Sequence, residues 1–164
     1  DYDRLMGMSE EYVEPKLDPF EEREHLKSWM MDPMARDQFV ALTGQKATVF
    51  WNNKVDRPEA HYAREKWTET TCQWSPRGSF LATFHSQGIA IWGGENWNKI
   101  ARFPHPNAKQ IHFSPSERFL VTWSPYNEQQ ALEYNLMVWE TATGKLVRGY
   151  SLPNPSVVNW PLIR

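Results

Sequence analysis

The chain writes one strand pattern twice, and that repetition limits it to a modular fold. Trp74-Ser75-Pro76-Arg77-Gly78-Ser79-Phe80-Leu81-Ala82-Thr83-Phe84 aligns with Phe113-Ser114-Pro115-Ser116-Glu117-Arg118-Phe119-Leu120-Val121-Thr122-Trp123 at an offset of 39. Downstream, Ile89-Ala90-Ile91-Trp92 matches Leu136-Met137-Val138-Trp139 at an offset of 47. The eight extra residues fall around Ser124 to Leu132, a polar stretch that reads as a loop insertion. Lys99 to Arg102 then matches Lys145 to Arg148, and Thr48-Val49-Phe50-Trp51 is a weaker third copy of the Trp-ended strand.

Each copy runs aromatic-Ser-Pro, turn, strand, turn, strand ending in Trp, turn, strand. Proline fixes φ and lacks the N–H a ladder needs, so Ser-Pro stops a strand. Phe-Leu-Ala-Thr is apolar on both faces, as a strand between packed neighbours must be. The terminal Trp supplies a large buried area. A four-stranded unit of about 40 residues is the size of a propeller blade. Other β-type runs are Ala47 to Asn52, Thr70 to Trp74, Lys109 to Phe113 and Lys145 to Tyr150, with Val157 to Trp160 beginning one more. The expected fold is an all-β, WD40-type β-propeller fragment of about two to three blades. Two and a half blades cannot close a ring, so the sequence reads as part of a larger propeller.

The front of the chain differs. Residues 1–46 carry 11 acids against 6 bases, and residues 47–164 carry 9 against 12. Pro15 and Pro19 favour an extended segment. Phe20 to Met31 suggests one short helix, with Asp18 as N-cap and Glu21 at capping-box spacing. The expected division is a linker with a short helix over 1–36 and a partial propeller over 37–164, its blades incomplete at both ends.

Several classes of function lose support. Net charge is −2, so global charge does not mark a nucleic-acid binder. A single cysteine, Cys72, excludes an internal disulfide framework and a cysteine-rich zinc site, and fits a reducing compartment. No apolar leader or membrane span stands out, so a soluble intracellular protein is expected. Gly93-Gly94 follows a Trp strand and lacks the Lys-Ser/Thr of a phosphate loop, and no Gly-x-Ser-x-Gly elbow is present. No catalytic residue, cofactor or metal is expected. Cys72 reads as a buried structural thiol. His61 and Glu65 have i, i+4 spacing, but two ligands do not make a metal site, and a solvated loop or short helix is expected there.

The structural blade residues are Trp74, Trp92 and Trp139, with Thr83 and Thr122 as hydroxyl partners for Trp92 and Trp139. His85 is expected to be structural or a loop residue in an incomplete network, because Ser86-Gln87 stands where WD repeats carry a turn aspartate. Basic loop candidates for contact with RNA are Lys54, Arg57, Arg64, Lys66, Arg77, Lys99, Arg102, Lys109, Lys145 and Arg148. The favoured interface set is Trp97, Lys99, Arg102, Lys109 and Arg77, with Trp97 as an exposed turn tryptophan of the kind enriched at hot spots. Packing of Trp97 under its own loop is the alternative.

Lys66-Trp67-Thr68-Glu69-Thr70, the segment from Trp74 to His85, and Gly88-Ile89-Ala90-Ile91-Trp92-Gly93-Gly94-Glu95 resemble the b-subunit family of eukaryotic translation initiation factor three. Arg36-Asp37-Gln38, Val49-Phe50-Trp51-Asn52 and Asn159-Trp160-Pro161 agree with it, and the front segment resembles that family's connector between an RNA-recognition-motif domain and the propeller. The resemblance implies a non-catalytic cytoplasmic scaffold whose propeller docks on the small ribosomal subunit, its RNA and proteins, and on sister subunits. It implies no membrane and no small-molecule substrate. The RNA-recognition motif and the later blades have no counterpart here, so their roles do not carry over. A generic WD-repeat adaptor without ribosome contact is the alternative, and a propeller enzyme a third.

Overall fold

The computed structural model describes residues 26–161 apart from 128, 130, 131, 154 and 156. Eleven strands are found among them, in three antiparallel sheets. The first sheet holds β1 (Gln38–Thr43), β2 (Lys46–Trp51) and β3 (Glu59–Glu65) in the order β1-β2-β3. The middle sheet holds β4 (Cys72–Trp74), β5 (Leu81–His85), β6 (Gly88–Gly93) and β7 (Asn98–Phe103), each strand beside its successor. The last sheet repeats this with β8 (Gln110–Phe113), β9 (Phe119–Trp123), β10 (Leu136–Glu140) and β11 (Leu146–Tyr150). This is an all-β partial propeller of the WD type, and the repeat units are its blades.

The Ser-Pro turns explain the repeat locally. Ser75 Oγ accepts the Phe80 N–H at 2.9 Å, and Ser114 Oγ accepts that of Phe119 at 3.0 Å. Each serine thus holds the two ends of its turn together while proline ends the incoming strand. The fourth residue of both turns is left-handed, at φ +70 for Gly78 and +62 for Glu117. Glycine adopts this freely; Glu117 does so with its carboxylate buried, accepting from Ser79 Oγ at 3.0 Å across the two blades.

Alternation along the middle strands builds two cores. Leu81, Ala90 and Trp92 face the first sheet and pack with Ala47 and Val49. Ala82, Phe84, Ile89 and Ile91 face the last sheet and pack with Ile111, Phe113, Leu120 and Trp139. A period of two therefore buries both faces of β5 and β6. The bulges fall at matching places, between Ile91 and Trp92 and between Val138 and Trp139. Gly88 has no room for a side chain, since a Cβ there would sit 2.1 Å from the Phe103 carbonyl oxygen.

Three expectations need correction. His61 and Glu65 lie in β3 rather than in a loop or helix; its alternation was hidden because only Tyr62 is even half-buried. Val157 to Trp160 is not a strand: the Trp160 indole donates to the His112 carbonyl at 3.0 Å and stacks on Phe119, covering the outer face of the last sheet. The short helix, where described, is a single 3-10 turn over Ser28–Met31. Asp18 and Glu21 lie outside the described residues. From within that turn, the Trp29 indole donates to the Gly78 carbonyl at 3.0 Å, fastening the segment to the middle sheet.

Candidate functional site

Two buried hydrogen-bond networks set the frame. In the last sheet, Trp139 Nε1 donates to Thr122 Oγ1 at 2.8 Å, and Thr122 Oγ1 lies 2.7 Å from His105 Nδ1. His105 Nε2 lies 3.2 Å from the Tyr134 carbonyl, which only accepts. His105 must therefore donate from Nε2 and accept the Thr122 hydroxyl at Nδ1. This neutral tautomer fits a ring with no solvent exposure, whose burial pulls its pKa below the usual histidine value. In the middle sheet, Trp92 Nε1 donates to Thr83 Oγ1 at 2.9 Å, and Thr83 Oγ1 meets His85 Nε2 at 2.8 Å. His85 comes from the end of β5 and is half-buried; burial lowers its pKa and the Glu69 carboxylate opposes that. His105 was not singled out from the sequence. Its one signal was a histidine between two prolines just before an aromatic-Ser-Pro turn.

Outside the Trp92 network lies a cleft of about 590 Å³ between the end of β3 and the middle sheet. Arg64, Lys66, Lys99 and Arg102 line it, with Glu69 and His85 on one wall. Arg64 lies over the Trp92 ring, its guanidinium carbon 4.8 Å from the centroid, and the Lys99 ammonium lies 5.0 Å from it. Trp92 itself is buried, so it serves as a platform for cations. Burial lowers the pKa of Lys99, and the charges of Arg102 and Arg64 lower it further. Among the described residues, none of the four cations has an ion pair.

The favoured interface residues do not form one surface. Lys99 and Arg102 are exposed in this cleft. Arg77 borders a separate depression with Trp29, Asp37 and Trp74. Lys109 lies in a third, beside Asn107 and Ser124. Trp97 is not an exposed ring: it is 6% exposed and packs edge-on against Trp67 and Trp74 at 5.7 and 5.6 Å. Its indole N–H finds no acceptor among the described residues, so the ring contributes area rather than a polar contact. Arg64 and Lys66 belong to the site although they were not in the favoured set. They reach it from the neighbouring sheet, a relation that no spacing along the chain reveals. Cys72 is half-buried beside this aromatic cluster, and burial raises its thiol pKa.

A family model described as "Eukaryotic translation initiation factor eIF2A" matches residues 35–154. The eukaryotic translation initiation factor 3 B-subunit of Mycosarcoma maydis is 41% identical over 167 residues, covering 93% of this chain and 22% of that protein. The B-subunit of Yarrowia lipolytica is 42% identical over 182 residues, covering 99% and 25%. That of Neosartorya fischeri is 45% identical over 159 residues, covering 91% and 22%. The chain thus spans about a quarter or less of these relatives' length. A solved structure described as that of "the eukaryotic initiation factor" has a TM-score of 0.58 at 21% identity, covering 73% of this chain and 30% of that one. At that identity the likeness concerns the fold.

Proposed function

The chain belongs to the family described as eukaryotic translation initiation factor eIF2A, and on that membership we propose that it acts as a non-catalytic scaffold in translation initiation. In this reading its blades hold loops rigidly for docking on the small ribosomal subunit and on sister subunits of a multi-subunit initiation factor. The work takes place in the cytoplasm. The observation that carries the reading is the 41–45% identity to B-subunits of initiation factor 3 over more than nine-tenths of this chain. Residues 1–36 are the connector and residues 37–164 the propeller portion. The buried Trp–Thr–His networks support the scaffold role, because a loop holds a contact surface best when the strands beneath it are fixed.

The test is co-sedimentation of the full-length protein with purified small ribosomal subunits at increasing salt. The reading expects association that weakens as salt rises. No association, with sister subunits also supplied, overturns it and favours a WD-repeat adaptor without ribosome contact.

A further inference from the structure

We propose that the cleft over Trp92 is a binding site for the phosphate backbone of a single RNA strand, gripped by Arg64, Lys66, Lys99 and Arg102. The inference deepens the scaffold reading by naming a contact that nothing in the family relation assigns to these residues.

Three observations carry it. First, four cations, from β3, the turn that follows it and β7, converge on one cleft and lack ion pairs among the described residues. The like charges of Arg64 and Arg102 weigh on Lys99, so an anion placed among them relieves repulsion that the protein alone leaves in place. Second, Arg64 is held by the Trp92 face at 4.8 Å. A guanidinium held over a ring by its charge makes no hydrogen bond there, so its N–H groups remain for a forked contact with phosphate oxygens. Third, the large apolar side chains of the lining are covered. Ile89, Ala90, Trp92 and Phe103 are each under 9% exposed and Pro104 is the exposed apolar residue of the lining, so an acidic peptide would find little apolar floor for its side chains. What remains is electrostatic contact without base stacking, which suits a densely and evenly charged backbone and reads no sequence. Glu69, with its carboxylate turned toward His85 and the Ser86 N–H, repels phosphate and marks the edge of the path.

The experiment measures binding of a fluorescent oligouridylate to the full-length protein by anisotropy across a salt series. Lys66→Glu/Arg102→Glu replaces two exposed residues that take no part in the Trp–Thr–His networks. It should weaken binding by about tenfold or more and make the salt slope shallower by about 1.4, the share of two phosphate contacts on a single strand. Lys145→Glu/Arg148→Glu, outside the cleft, should leave both quantities near the unmodified values. If the charge reversal disturbs the melting temperature, Lys66→Gln/Arg102→Gln is read instead and should show the same shallower slope. An unchanged affinity and slope in the cleft variants overturns the inference. So does tighter binding of an oligoglutamate than of the RNA at this cleft, which would assign it to an acidic peptide. The two levels separate cleanly. Ribosome association with cleft-independent RNA binding removes only this inference. Cleft-dependent RNA binding without ribosome association removes only the scaffold reading.

Discussion

The middle and last sheets share a sequence pattern and a Trp–Thr hydrogen bond, yet each completes that bond with a histidine from a different place. In the last sheet the ring comes from the connecting loop, as His105, and is sealed. In the middle sheet the corresponding loop, residues 66–71, carries no histidine, and the strand's own last residue, His85, turns onto Thr83. The requirement is chemical rather than positional. A threonine hydroxyl that accepts a buried indole N–H has a proton of its own to place, and a histidine nitrogen can take it. Any histidine within reach satisfies it. The choice has a consequence at the surface: the middle sheet keeps its histidine half-exposed and opens beside it into a cationic cleft, whereas the last sheet is closed at His105.

Substitutions test how far the two sheets are equivalent. The largest effect is expected for Trp139→Ala and Trp92→Ala, each costing about 3–5 kcal/mol in urea denaturation of the full-length protein, since each removes a large buried ring. A loss under about 1 kcal/mol at either site would place that ring outside the core. Removing the hydroxyl should distinguish the sheets. Thr122→Val strands a sealed histidine and a buried indole, for about 2 kcal/mol. Thr83→Val should cost about half that, because His85 can turn to water. Equal losses would mean that the exposure of His85 offers no relief.

The smallest effect is on pH dependence. Burial holds both histidines below their ordinary value in the folded protein, so the unfolded chain binds the proton more readily. The stability they contribute is complete above about pH 6.5 and is lost as pH falls through that value toward the lowered folded one. Melting temperatures measured from neutral to mildly acid pH should fall, and His105→Asn should flatten the fall more than His85→Asn. The Glu69 carboxylate favours the charged form of His85 and blunts its share. A steeper dependence on His85 would reverse the assignment of the sealed site.

What the sequence disclosed was what local chemistry fixes. Ser75 and Ser114 clamp their own turns, and Leu81 to Phe84 alternates between two cores, so turn positions and blade strands follow from short stretches. The pairing of Trp92 with Thr83 and of Trp139 with Thr122 follows from the register of adjacent strands. What it hid was long-range. Trp97 reads as a turn residue, but Trp67 and Trp74, brought from two other segments, bury it. β3 pairs along an edge where almost every side chain meets water, so no hydrophobic rhythm announced it. The cleft joins Arg64 to Trp92 across 28 residues and two sheets, and only packing makes them neighbours.

The serine clamps also decide what an enzyme that modifies Ser-Pro sequences meets. Ser75, Ser114 and Ser124 each precede a proline, and each hydroxyl is buried and hydrogen-bonded: the first two accept a backbone N–H, and Ser124 donates to the Pro106 carbonyl at 2.7 Å. A kinase reading this dipeptide finds three matches in the sequence and no accessible oxygen in the folded blades. A phosphate on any of them would record a chain caught before its blade closed, and its bulk and charge would then keep that turn from forming.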